Sequence, residues 1–203
     1  MFVREKLRTN TNSVTAAVAC GVMSKEAMRI IIKTISLLFL IVLIAMVAWY
    51  SISYFPYLSQ LQEKIKESKT EYSGDMSTPY GLALAAETKK GIAYYTARSS
   101  YHVLSFQYAT KKSKTKWHLN QILWYLSNSL HFNDQEIFYL WLHFSRIDKL
   151  SISTFNKPFK ILSFEQKAQV IGMVKAPQAY APETERGRSR LEWVLKQYAA
   201  HNK

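Results

Sequence analysis

An internal disulfide is excluded in this chain, because it has a single cysteine, Cys20. Six glycines and five prolines among 203 residues are too few for a fibrous or disordered chain. No glycine-rich loop able to cradle phosphates occurs, and no Gly-x-Ser-x-Gly nucleophile elbow. The histidines (His102, His118, His131, His143 and His201) lack metal-ligand spacing, which argues against a zinc site. No run alternates with the two-residue period of a strand, and no internal repeat is visible. Acidic residues are scarce: 14 Asp and Glu stand against 27 Lys and Arg, a formal net charge of +13. Such an excess fits nucleic acid, an anionic membrane surface or a phosphate-bearing substrate, and equally well a role in solubility and topology alone.

What is present begins with an apolar run. No charged residue occurs from Thr34 to Gln62. With Ile30, Ile31 and Ile32 ahead of Lys33 and Tyr54 and Phe55 behind, the run reaches the roughly 20 residues that span a bilayer. A buried core helix of this length would carry a polar stripe, and this one has almost none. The expectation is a transmembrane helix over residues 34–57. Residues 1–33 carry six Lys or Arg (Arg4, Lys6, Arg8, Lys25, Arg29, Lys33) against two Glu. Beyond the span, Lys64, Lys66 and Lys69 are interleaved with Glu63, Glu67 and Glu71. Counting Lys and Arg predicts that residues 1–33 form a cytoplasmic basic tail and that the chain beyond the span lies outside. Trp49, Tyr50, Tyr54 and Tyr57 would form the aromatic belt at the outer end. A cleaved signal peptide is the alternative, but the run is too long and no small-residue cleavage pattern follows it. Ala17-Val-Ala-Cys20 has the form of a lipoprotein processing site, yet the apolar stretch follows the cysteine instead of preceding it.

Residues 58–79 read as a charged stalk or linker, with a short helix over Gln60–Tyr72 and turn signals at Ser73-Gly-Asp75 and Ser77-Thr-Pro79. Residues 80–203 form the outer domain. Leu82 to Tyr95 is Ala-rich and helical in propensity. Lys111-Lys-Ser-Lys-Thr-Lys116 is a basic loop, either a solvated turn or a contact for lipid phosphates, worth about 1 kcal/mol per basic residue near an anionic surface. From Trp117 to Leu130, Leu119, Ile122, Leu123, Leu126 and Leu130 fall on one helical face. Asn133-Asp-Gln-Glu136 is a capping box opening an apolar, central helix over Ile137–Phe144, and Ser163-Phe-Glu-Gln166 is a second box. The domain is mainly α.

The run from Ile161 through Ala168, Ile171, Gly172 and Lys175-Ala-Pro177 to Tyr180-Ala-Pro182 has a particular order. A capped apolar helix stops at a proline, an extended segment follows, and a basic helix carries Arg186, Arg188 and Arg190 ahead of Val194-Leu195. This resembles the closing part of family 51 glycosyltransferase domains, the membrane-bound peptidoglycan polymerases. Upstream, Glu136-Ile-Phe-Tyr-Leu-Trp-Leu-His143 lies in register with that family's Glu-Ile-Leu-Glu-x-Tyr-Leu-Asn, keeping the first Glu, the Ile and Leu142. The family's second, active-site Glu is Tyr139 here, and the Asn is His143. A Gly-rich excursion ending in Tyr-Phe-Gly-Lys-Pro is shortened to Thr154-Phe-Asn-Lys-Pro158. The family's catalytic Ala-Glu-Asp-x-x-Phe aligns with Ala86-Glu87-Thr88, with the Asp and Phe replaced. Its Ser/Thr/Gln loop retains Gln107, and its Arg-Lys-x-x-Glu element is reduced to Lys114 and Lys116.

The resemblance implies a lysozyme-like helical transglycosylase-type domain behind one transmembrane helix, in a bacterial inner membrane with the domain in the periplasm. It implies Glu87 as the catalytic base and Lys175, Arg186, Arg188, Arg190, Gln107, Lys114 and Lys116 as substrate-binding residues. No metal or cofactor is assigned. The partners implied are lipid-linked precursor or cell-wall synthases, together with membrane lipid. Nucleic acid is not expected, since that would need a cytoplasmic domain. In the family's reaction a carboxylate takes the proton of the attacking sugar hydroxyl while basic groups stabilise the departing polyprenyl pyrophosphate. Base catalysis alone contributes about 10²–10⁴ in rate, so the replaced positions favour a degenerate copy that binds over a competent polymerase. A divergent active enzyme using Glu87 is one alternative, and an unrelated bitopic scaffold of a secretion or conjugation apparatus is another. Each residue also has a plainer reading. Glu87 would be a solvent-facing residue on an Ala-rich helix, Tyr139 and Trp141 core, His143 a satisfied buried histidine, and the three arginines a solvated or membrane-facing surface.

Overall fold

The computed structural model describes residues 25–87, 91–105 and 114–201. Among them the chain is helix and turn, without a strand, as the sequence predicts. It divides into two compact units, Met1–Val47 and Ala48–Lys203.

In the first unit the described residues belong to a single helix, α1 (Lys25–Ser53), whose last turns extend into the second unit. Met28–Ser53 is long and apolar enough to cross a membrane, and its side chains from Met28 to Ala48 are exposed. The helix begins ahead of the expected 34 and stops before the expected 57. Pro56, in the first turn of the next helix, explains the stop: it has no N–H to continue the ladder. Most of the basic tail, with Cys20, lies outside the described residues.

In the second unit, α2 (Phe55–Glu71) is not a free-standing stalk. It packs against α6 (Asp134–Phe144) and buries Leu61, Ile65 and Ser68, with Tyr72 just beyond its end. These positions, spaced four, three and four, form the buried stripe of an amphipathic helix whose other faces carry the Lys and Glu residues. The Tyr72 hydroxyl donates to the Asp148 carboxylate, which also accepts from the Phe159 N–H at 2.7 Å. Residues 58–79 are therefore built into the domain.

The remaining helices are α3 (Ser77–Ala86), α4 (Gly91–Leu104), α5 (Lys114–His131), α7 (Ile147–Phe155), α8 (Phe164–Met173) and α9 (Glu185–His201), with a 3₁₀ turn at Phe159–Ile161. The Ala-rich stretch expected as one helix is broken between α3 and α4. Gly91, at φ +74°, takes a left-handed conformation that suits glycine at this break. α6 is central: α2, α4, α5 and α7 pack on it, and Tyr139, Leu140, Trp141 and Leu142 are buried. A second layer forms where α3 and α8 meet α9.

Both capping boxes form. Asn133 Oδ1 accepts from the Glu136 N–H at 2.9 Å, and the Glu136 carboxylate accepts from the Asn133 N–H at 3.2 Å. Ser163 and Gln166 reciprocate in the same way at the start of α8. Asn133→Ala and Ser163→Ala are each expected to lower stability by about 1 kcal/mol, while Asn133→Asp keeps the cap. Thermal unfolding of the three variants beside the parent checks this.

Candidate functional site

The site is assembled from three chain breaks. α3 ends at Ala86, so Glu87 occupies its C-cap, its N–H donating to Ala83 O at 3.0 Å and Leu84 O at 3.2 Å. α8 ends at Met173 and Pro177 prevents its continuation, which leaves Lys175 just past the helix. The segment expected to be extended is instead coiled into turns. The Tyr180 N–H donates to Ala176 O at 3.0 Å, and the Gln169 side chain holds Tyr180 O at 2.9 Å. This shape is set by the start of α9. Thr184 Oγ1 accepts from the Gly187 N–H at 2.9 Å and donates back to Ala181 O at 2.8 Å. A Cβ at residue 187 would lie 2.0 Å from Ala181 O, so only glycine lets the turn and the helix approach this closely.

α9 then presents Arg186, Arg190 and Trp193 on one face, at i, i+4 and i+7. With Lys175, Tyr180, Glu185 and Ser189 they line an open cleft of ≈ 880 Å³, within the size range of small-molecule sites. Arg190 is anchored: its Nη2 donates to Ala86 O at 2.8 Å, and its guanidinium lies 4.3 Å from the Trp193 ring centroid and 5.7 Å from that of Tyr180. Its Nε is buried and has no hydrogen-bond partner among the described residues. Burial pulls the Arg190 pKa down, while Tyr180 and Glu87 push it back up.

Glu87 is not a solvent-facing residue on a helix. It is 1% exposed, and its Oε2 lies 2.7 Å from Lys175 Nζ. Lys175 Nζ also sits 4.3 Å from the Tyr95 ring centroid. The carboxylate lies behind Lys175 and is not part of the cleft lining. Burial raises the Glu87 pKa above its ordinary value of 4.5, with Lys175 and Arg190 acting against that rise. The folded chain thus holds this proton more tightly than the unfolded one. The resulting stabilisation is full below the ordinary value and is lost as pH rises through the raised one. Glu87→Gln is expected to flatten the decline in stability that begins near pH 4.5. Unfolding measured across a pH series, beside the parent, checks it.

Of the residues expected from sequence, Glu87, Lys175, Arg186 and Arg190 come together. Arg188 points elsewhere, its Nη1 donating to Glu183 O at 3.3 Å. Lys114 and Lys116 open α5, which packs on α4 and α6, and Gln107 lies outside the described residues. Tyr139 and Trp141 are core. His143 is half-buried, its pKa lowered by burial and by Lys64. Sequence reasoning missed Tyr95, Tyr180 and Trp193. Trp193 was readable from its i+3 spacing to Arg190, whereas the two tyrosines reach the site only through tertiary packing. Among the described residues, no three His, Cys, Asp or Glu side chains gather where a metal ion could be held.

No family model, no curated protein and no solved structure matches this chain.

Proposed function

We propose that the chain is a membrane-anchored, transglycosylase-like protein of peptidoglycan synthesis. It is a degenerate copy that holds lipid-linked precursor, or the synthases that use it, without polymerising it. In this reading α1 spans a bacterial inner membrane with its N-terminus in the cytoplasm, and the domain with its lysozyme-like helices lies in the periplasm. The observation that carries the proposal is the grouping of Lys175, Arg186 and Arg190 at one cleft, with Glu87 closed off behind Lys175. Two arginines and a lysine, offset by Glu185 and by the Glu87 paired with Lys175, leave a positive balance that suits a pyrophosphate. The Trp193 and Tyr180 rings supply flat apolar walls for what the phosphates carry. A general base must come within hydrogen-bond reach of the proton it removes. A carboxylate 1% exposed and paired at 2.7 Å meets no substrate hydroxyl, which favours binding over turnover.

The test is polymerisation of labelled lipid-linked precursor by the detergent-purified full chain, beside Glu87→Gln. No glycan from either protein is expected. Glycan from the parent that Glu87→Gln abolishes would make the chain a divergent polymerase, with Glu87 released from Lys175 during the reaction.

A further inference from the structure

α5 turns its more polar face to the core and leaves an apolar one outside. Its inner face buries Trp124, Gln121 and Asn128 and packs mainly on α4. Its outer face carries Leu119, Ile122, Leu126 and Leu130, at spacings of three, four and four. These side chains are 56%, 50%, 46% and 84% exposed. A helix on the surface of a water-soluble domain carries polar residues there, and four large aliphatic side chains in line mark a contact surface.

What covers it is indicated by where α5 is tied. Trp49 Nε1 donates to Asn120 Oδ1 at 2.7 Å, Tyr50 OH and His131 Nε2 share a hydrogen bond at 2.7 Å, and Tyr54 OH donates to Asn128 Oδ1 at 2.8 Å. Trp49 and Tyr50 belong to the last turns of the membrane-spanning candidate, and aromatic residues at the end of a span sit at the headgroup level. Asn120 and His131 are eleven residues apart, about 16 Å along a helix. They nevertheless bond consecutive residues, so α5 crosses the last turns of α1 and does not run beside them. Ile52 and Phe55, in the stretch of chain that carries these ties, are exposed as well. Charge agrees: Lys114 and Lys116 open α5, in a chain of net charge +13. A helix with an apolar stripe in a strongly basic chain suits a place among acyl chains and anionic headgroups.

We infer that α5 is an interfacial helix whose Leu119–Ile122–Leu126–Leu130 stripe is seated in the bilayer beside the outer end of α1. The inference rests on α1 as a span and is independent of what the cleft binds. Its consequence is a second point of attachment, which would fix how the domain faces the membrane.

The test uses the full chain with Cys20→Ser, reconstituted in vesicles of phosphatidylethanolamine and phosphatidylglycerol. An environment-sensitive dye is attached at Ile122→Cys or Leu126→Cys, and at Glu192→Cys on α9 as the water-exposed reference. All three sites are exposed, so the fold tolerates the label. The expected result is blue-shifted emission at 122 and 126, quenched by brominated acyl chains and protected from aqueous iodide, with the reverse at 192. Emission and iodide access at 122 and 126 equal to those at 192 would overturn the inference. Blue-shifted emission that brominated lipid does not quench would also overturn it, by assigning the stripe to a protein partner.

Discussion

Gly187→Ala is expected to lower the stability of the domain by about 3 kcal/mol, the upper end of the usual range for overpacking, or roughly 6–12 °C in Tm. The added methyl would lie 2.0 Å from Ala181 O and 2.9 Å from Tyr180 O. Neither atom is the end of a flexible side chain, so the backbone of the turn must move. That turn carries Tyr180, and its movement breaks the Thr184 cap and the Gln169 hydrogen bond as well. Gly172→Ala is the matching control. There the new Cβ would sit 3.4 Å from Arg190 Cγ and 3.7 Å from Val194 Cγ2, both ordinary contacts. Alanine also gains about 1 kcal/mol in helix propensity over glycine, so that variant is expected to be neutral or slightly more stable. Thermal unfolding of both in the same detergent reads the difference. Equal effects would remove the close approach at Ala181 as the cause.

Lys175→Met is the second large effect, with an expected loss of about 3 kcal/mol. Breaking a buried ion pair by removing one partner costs about 3–5 kcal/mol, because the other charge is left uncompensated. Two features hold the value near the lower end. Lys175 is itself partly exposed, and Glu87, whose pKa burial already raises, can take up a proton instead of remaining charged. The loss should therefore shrink as pH falls through the range in which Glu87 protonates. Adding Glu87→Gln to Lys175→Met removes the stranded charge and should recover most of the stability, giving a coupling well above the error of a double-mutant cycle. If the two substitutions are additive, the pair contributes nothing and the site is held by Arg190 and the aromatic rings alone.

The helical class of the domain was readable in the sequence because its signals are local. Asn133 with Glu136 and Ser163 with Gln166 start helices wherever they occur ahead of an apolar run. The Ile137–Phe144 stretch is central because no face of it suits water. The uncharged run from Thr34 marked the candidate span, and only its ends moved. What was not legible depended on neighbours distant in the chain. The dense charge of α2 hid the stripe of Leu61, Ile65, Ser68 and Tyr72, which has meaning only once α6 lies against it. Glu87 on an alanine-rich stretch gives no local sign of burial. The chain break at Gly91 and the approach of Lys175 from α8 create its environment. The apolar face of α5 was visible, but its exposure was not, since the core takes the opposite face, with Gln121, Trp124, Ser127 and Asn128, and period alone does not show that.

The cleft was half legible. Lys175, Arg186 and Arg190 were named from sequence, and the register of α9 separates Arg186 and Arg190 from Arg188. The rings that stack on Arg190 and Lys175 came only with the fold.

The most direct test of the account is binding of labelled lipid-linked precursor to the full chain in detergent, with Arg186→Ala beside the parent. Arg186 lines the cleft and is exposed, so its removal leaves the fold intact. Loss of one charge-assisted hydrogen bond to phosphate predicts binding about tenfold weaker. Inorganic pyrophosphate should compete with the precursor, and Glu87→Gln should bind as the parent does. Precursor that does not bind, or that binds equally well without Arg186 and in the presence of pyrophosphate, would contradict a phosphate-holding cleft.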